Sequence, residues 1–182
     1  MMGEYLKEQG KVADVIYSSP SLRCLQTAHT VKTASGSAAR LRVEPGLFNF
    51  LYICNVMEIN FLLSRAQFDV DEDYAPMLTL EQLFAPSEKA KEYYERIKEV
   101  LQTIAGRSEP SPVSAKPLTV LIVGHATTVF RAAGMLRAEP RKPSLYDLQR
   151  VGYRVSYCGS ILFRRQASHW QPLPEAIPTV VF

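Results

Sequence analysis

The chain has 182 residues, 47% of them apolar and 21% charged, with a formal net charge of +3. That length suits one domain, 1–182, with a single sizeable core, and the composition excludes a disordered or fibrous protein. So small a net charge argues against a nucleic-acid or membrane partner, while leaving room for one local anion pocket. The three cysteines, Cys24, Cys54 and Cys158, form no Cys-x-x-Cys pair, and an odd number is a poor disulfide framework. The first seven residues lack the apolar run of a signal peptide, and the most apolar stretch, 46–63, is interrupted by Asn49, Asn55, Glu58 and Asn60. A reducing, cytoplasmic setting is the simplest expectation.

Residues 12–19 read as a buried strand that ends in small polar residues before Pro20. Ser21 is placed to cap a helix on which Leu22, Leu25, Ala28, His29 and Lys32 have helical spacing, and residues 35–39 break it. A short strand follows at 41–44, closed by the turn signal Pro45-Gly46. Residues 47–87 are irregular. From Glu88 to Ala105, Tyr93, Ile97, Val100, Leu101 and Ile104 share one helical face, with Gly106 as the stop and 108–117 as a loop. The run Thr119-Val120-Leu121-Ile122-Val123 is continuously apolar and rich in β-branched residues, which predicts a parallel strand covered on both faces. Gly124-His125 ends it, and 126–136 read as a helix. Arg154–Cys158 and Ser160–Phe163 look like two short strands, and Trp170 with the prolines after it like a closing tail. Strand–helix alternation predicts an α/β sandwich of three layers, α/β/α.

In such sheets ligands sit outside the carboxyl ends of the strands, where Arg23 and His125 both fall. Arg23 would lie in the first turn of its helix, a planar fork of donors beside open backbone N–H groups, which matches a phosphate. His125 would stand at the equivalent place on the next unit, with the N–H groups of Ala126 and Thr127 behind it. An arginine in a first turn is ordinarily a solvated surface residue, so neither signal is specific alone. His29 reads as a helix-face residue and His169 as part of a polar tail. Cys158 and Arg164 have the spacing of a cysteine-phosphatase motif, but the five residues between them are too apolar for a phosphate loop. No Gly-x-Ser-x-Gly elbow, no phosphate loop ending in Gly-Lys-Ser/Thr and no metal-ligand cluster is present, so no metal or cofactor is implied.

Residues 15–28, with Ser18-Ser19-Pro20-Ser21-Leu22-Arg23 at their centre, resemble the second signature of the histidine phosphatase (phosphoglycerate mutase-like) superfamily, and Val123-Gly124-His125-Ala126 resembles its late histidine motif. Residues 42–48 and 68–74 are similar to one branch, the ubiquitin-associated and Src-homology-3 domain phosphatases and the ecdysteroid-phosphate phosphatases. The likeness covers residues 3 to about 174 apart from 50–66. It implies phosphomonoester hydrolysis through a phosphohistidine, on a phosphate ester or phosphoprotein. In that scheme Arg23 and His125 clamp the phosphoryl oxygens, Ser19 and the backbone of Ala126 bind phosphate beside them, and Tyr17 and Ser18 help shape the pocket floor.

Two departures bear on activity. The sequence contains no Arg-His-Gly, the motif that carries the family's nucleophile, and residues 3–10 resemble the helix that follows it. The resemblance therefore implies that the first central strand is absent. It also implies that this strand belongs between those ending at Ser19 and Gly124, so that without it either the remaining strands close up over the slot or the chain folds poorly alone. The branch's general acid is expected one residue after Leu47-Phe48, where this chain has Asn49, an amide that can hydrogen-bond but not protonate a leaving oxygen. Negligible phosphatase activity follows, with a truncated isoform or an incomplete gene as its origin. Residues 49–64 read equally as translated intron or as an apolar insertion. The alternative is a non-catalytic phosphate-binding or dimerising module, with a homodimer as one form.

Overall fold

A computed structural model describes residues 2–49, 67–84, 88–108, 117–136, 144–166 and 169–173. Three parallel strands form its central sheet: β1 (Val15–Ser18), β2 (Leu41–Val43) and β3 (Val120–Val123), in the order β2-β1-β3. β1 lies against β3 in register from Val15↔Val120 to Ser18↔Val123, and against β2 from Ile16↔Leu41 to Ser18↔Val43. The Ser19 N–H continues the β1–β3 ladder to the Val123 carbonyl at 2.9 Å. Of the two outcomes expected where the family's first strand is missing, the structure shows the strands closed up: each satisfies the other's backbone groups directly.

Alternation along the strands divides the core into two layers. Val15, Tyr17, Val120 and Ile122 face the long helix α4 (Ala90–Arg107) and pack on Tyr93, Ile97, Val100 and Ile104. Ile16, Leu121 and Val123 face the other way, towards α2 (Leu22–Ser35) and α1 (Met2–Glu8). Helix α5 (Ala126–Leu136) packs beside α4, which gives helices on both sides of a parallel sheet. The apolar face foreseen for 88–105 is the buried face of α4, although Gly106 does not stop the helix, which runs one residue further. α4 starts where Glu92 accepts the Lys89 N–H at 2.9 Å.

β3 departs from expectation. All four of its residues are half-buried rather than fully covered, because β3 is an edge of the sheet among the described residues. The opposite edge is covered: Leu41 of β2 donates to the Asp69 carbonyl and accepts from the Asp71 N–H, bridging to Val70.

The C-terminal expectations need correcting too. A short helix, α3 (Leu80–Phe84), interrupts the irregular region, and α6 (Leu145–Val151) precedes residues 154–158, which form turns rather than a strand. The antiparallel pair is β4 (Phe163–Gln166) with β5 (His169–Pro172), so Trp170 is part of a strand. Residues 50–66, including the greater part of the suspected insertion, and Cys54 lie outside the described residues. Among the described residues no helix is long and apolar enough to cross a membrane.

Candidate functional site

β1 and β3 end side by side, and the chain turns from each into a helix, α2 and α5. That topology brings together residues about a hundred positions apart. Arg23, in the first turn of α2, places Nη2 2.8 Å from Nδ1 of His125, the residue just before α5. Ser19, fully buried at the end of β1, places Oγ 2.9 Å from Nε2 of the same ring. The Gly124 position makes room for this: a Cβ there would stand 2.7 Å from the Thr128 hydroxyl, which accepts the His125 N–H at 3.2 Å. Ala126, half-buried, opens α5, so the first amide groups of that helix belong to the same corner.

The ring's two contacts settle its tautomer. A guanidinium can only donate, so Nδ1 must be the acceptor and Nε2 carries the proton, donated to Ser19 Oγ. Burial first, then the fields of Arg23 and Arg96, lowers the His125 pKa from 6.5 to about 3. The imidazole is neutral at physiological pH in this state, with neither nitrogen lone pair available for attack. Cys24 lies on the same side, Sγ 3.9 Å from Nε2, and burial raises its thiol to about 11. The Phe48 ring meets His125 edge-on at 6.0 Å between centroids.

Asn49 reaches this corner. Its Oδ1 accepts from Thr127 Oγ1 at 3.4 Å, and Thr127 is in turn held by the Tyr93 hydroxyl. This turns the amide carbonyl towards α5 and the NH₂ end away from it. Glu44, the nearest carboxylate in sequence, is no substitute acid: it is fully buried and accepts from the Gly46, Met77 and Leu78 N–H groups and the Tyr74 hydroxyl. Arg96 of α4 fixes the same turn, donating to the carbonyls of Gly46 (2.7 Å) and Phe48 (3.1 Å) while paired with Glu88.

Of the residues singled out from sequence, Arg23, Ser19 and His125 are brought into contact, Ala126 follows His125 at the start of α5, and Asn49 touches Thr127 one residue further on. Tyr17 is not: its ring packs in the α4 layer and its hydroxyl accepts from Arg42 at 3.4 Å, because it points to the opposite face of β1 from Ile16 and Ser18. Ser18 Oγ is spent on the Ser19 carbonyl. Ser21 holds the N-cap position of α2 without a side-chain cap bond. His29 packs against Phe68 at 5.8 Å, and Cys158 is exposed at a turn with Arg164 on β4. Cys24, Phe48 and Arg96 were missed, and Thr127 was foreseen for its N–H but not for the hydroxyl that meets Tyr93 and Asn49. For Cys24 the signal was available, since one residue after Arg23 it shares the inward face with Leu25 and Ala28.

An arginine and a histidine thus converge at the carboxyl edge of a parallel α/β sheet, the place where such sheets take ligands. The sequence profile described as "Histidine phosphatase superfamily (branch 1)" matches residues 2–144, and the chain belongs to that family. It is similar to the ecdysteroid-phosphate phosphatase of Drosophila melanogaster, 28% identical over 98% of this chain and 24% of that protein. It is also similar to the ubiquitin-associated and SH3 domain-containing protein B of Mus musculus, 33% identical over 87% of this chain and 25% of that protein. The chain thus spans about a quarter of the length of these relatives.

Proposed function

We propose that the corner formed by Ser19, Arg23 and His125 holds the phosphate of a phosphomonoester, free or on a protein, and that these 182 residues do not hydrolyse it. The observation that carries the reading is the meeting of Arg23 and His125 at 2.8 Å across 102 positions of sequence, at the ends of two paired strands. Hydrolysis through a phosphohistidine is the rival reading, favoured by the name of the Drosophila relative. It needs an imidazole lone pair aimed at phosphorus. His125 has both nitrogens engaged, His29 lies on α2 against Phe68, and His169 belongs to the β4–β5 hairpin. Asn49 supplies hydrogen bonds where an acid would supply a proton.

Two measurements test this. Inorganic phosphate titrated into the folded chain should shift the backbone amide resonances of Ser19, Ala126 and Thr127, and Arg23→Ala should abolish the shifts. Turnover of 4-nitrophenyl phosphate should not exceed buffer. Clear turnover that disappears in His125→Ala would overturn the non-hydrolytic reading, and absence of phosphate binding would overturn the pocket.

A further inference from the structure

Nη2 of Arg23 cannot give the same N–H both to His125 and to an oxyanion lying between the two residues. This nitrogen donates to His125 Nδ1 at 2.8 Å, so an oxyanion lying against both residues competes with the ring for it. An oxyanion with two charges attracts a guanidinium more strongly than a neutral imidazole does, since it adds charge–charge attraction to the hydrogen bond. Once Arg23 turns to the anion, Nδ1 loses its donor. A buried nitrogen lone pair facing a bound anion is unfavourable, and protonating it converts that repulsion into a hydrogen bond.

We infer that the corner is a proton-coupled latch: a tetrahedral dianion draws Arg23 off His125, and one proton from solvent then goes to Nδ1, so that anion and proton bind together. This rests on the phosphate-holding reading above. Nε2 keeps its own proton, donated to Ser19 Oγ throughout, and no bond other than Nδ1–H is made.

The groups around the ring leave the anion as the source of negative charge. From α2 come Arg23 and Cys24, from the end of β1 Ser19, from the turn before Asn49 the Phe48 ring, from α5 Thr128 on the His125 backbone, and from α4 the field of Arg96. Arg96 is itself paired with Glu88. Among the described contacts of the ring there is no carboxylate to hold an imidazolium.

Sulfate tests the latch, because it keeps two charges across the acid range and titrates no proton of its own. Calorimetric titration of sulfate into the full chain, in two buffers of unequal ionisation enthalpy, should show about one proton taken up per sulfate near pH 5. Affinity should be about tenfold better at about pH 5 than at about pH 6. The ring nitrogen-15 resonances of His125 should pass from one protonated nitrogen to two on saturation. His125→Asn should bind sulfate more weakly and with no proton uptake. Sulfate that binds equally at both pH values, with no proton and an unchanged ring, overturns the latch while leaving the phosphate site standing. A folded chain that binds no sulfate at either pH overturns both.

Discussion

Replacing Glu44 with glutamine should destabilise the chain by about 2–4 kcal/mol. The carboxylate has no exposure, and its two oxygens receive four donors: Oε1 from Gly46 N–H (2.8 Å) and Leu78 N–H (3.4 Å), Oε2 from the Tyr74 hydroxyl (2.6 Å) and Met77 N–H (2.8 Å). An amide keeps only one acceptor oxygen. Its least costly orientation puts the NH₂ group at the Oε2 position, where the Tyr74 hydroxyl can reverse and accept. The Met77 N–H then faces another donor, and an orphaned buried donor costs about 1–3 kcal/mol. The bonds to Gly46 and Leu78 survive without the charge that strengthened them, adding roughly 1 kcal/mol. For a chain of this size each kcal/mol lowers the melting temperature by about 2–4 °C, so a fall of roughly 4–16 °C is expected. Urea and thermal unfolding followed by far-UV circular dichroism measure it. Tyr74→Phe alone should cost about 1 kcal/mol, and much less in the Glu44→Gln background, since the hydroxyl there has lost its anionic acceptor. A Glu44→Gln chain within about 0.5 kcal/mol of the parent, well inside ordinary surface effects, would refute the clasp.

Gly46→Ala should cost about 1–3 kcal/mol, because the new Cβ would lie 2.5 Å from Val100 Cγ2 and 2.8 Å from Glu44 Oε1; an unchanged urea midpoint would contradict the packing of that turn on α4. Iodoacetamide at about pH 8 should alkylate exposed Cys158 and spare Cys24, whose pKa of about 11 leaves roughly one thiolate in a thousand behind a 3% exposed surface. Peptide mapping by mass spectrometry reads both sites, and equal labelling would place Cys24 elsewhere. His125 sets an acid limit on stability: its folded pKa lies below the unfolded value, so the unfolded chain binds the extra proton between about 6.5 and 3. Stability should therefore be fully present above about pH 6.5 and fall on acidification by up to about 1.4 kcal/mol per unit. His125→Asn should show a shallower acid branch by that amount, and identical branches would mean that the ring is not held neutral.

The elements legible in the sequence are those whose signal is local. The α4 face repeats Tyr93, Ile97, Val100, Leu101 and Ile104 at helical spacing, and all five are buried. The site pair followed from a rule about strand ends, and Arg23 and His125 obey it. α6 carried a readable start, Ser144 and Asp147 capping each other's N–H groups, obscured by the turn-rich residues beyond it. What could not be read is pairwise and distant. Nothing in residues 15–18 says that their ladder partner is 120–123, and family likeness left open whether the two strands would close on each other, as they do. Glu44 gave no hint that its partners lie some thirty residues on, nor Arg96 that two carbonyls near Asn49 depend on it. Burial of a charge is decided by such partners, so charged residues are where reading by composition fails first.

Ser19 and His125 stand at the distance of a hydrolytic serine–histidine pair, 2.9 Å, and the reason they are not one lies in the third residue. A serine is activated when the imidazole nitrogen facing it is unprotonated, which requires the far nitrogen to carry the proton and to donate it to a carboxylate or carbonyl. Here the far nitrogen faces a guanidinium, which has no lone pair. The tautomer is inverted: the proton sits between His125 and Ser19, and the imidazole can only give to the hydroxyl. Replacing the cation at Arg23 by an acceptor would restore the serine-activating tautomer; leaving it there keeps the proton on Nε2. The same two atoms at the same separation can thus carry the proton in opposite directions, and the sign of the charge on the far side of the ring decides which.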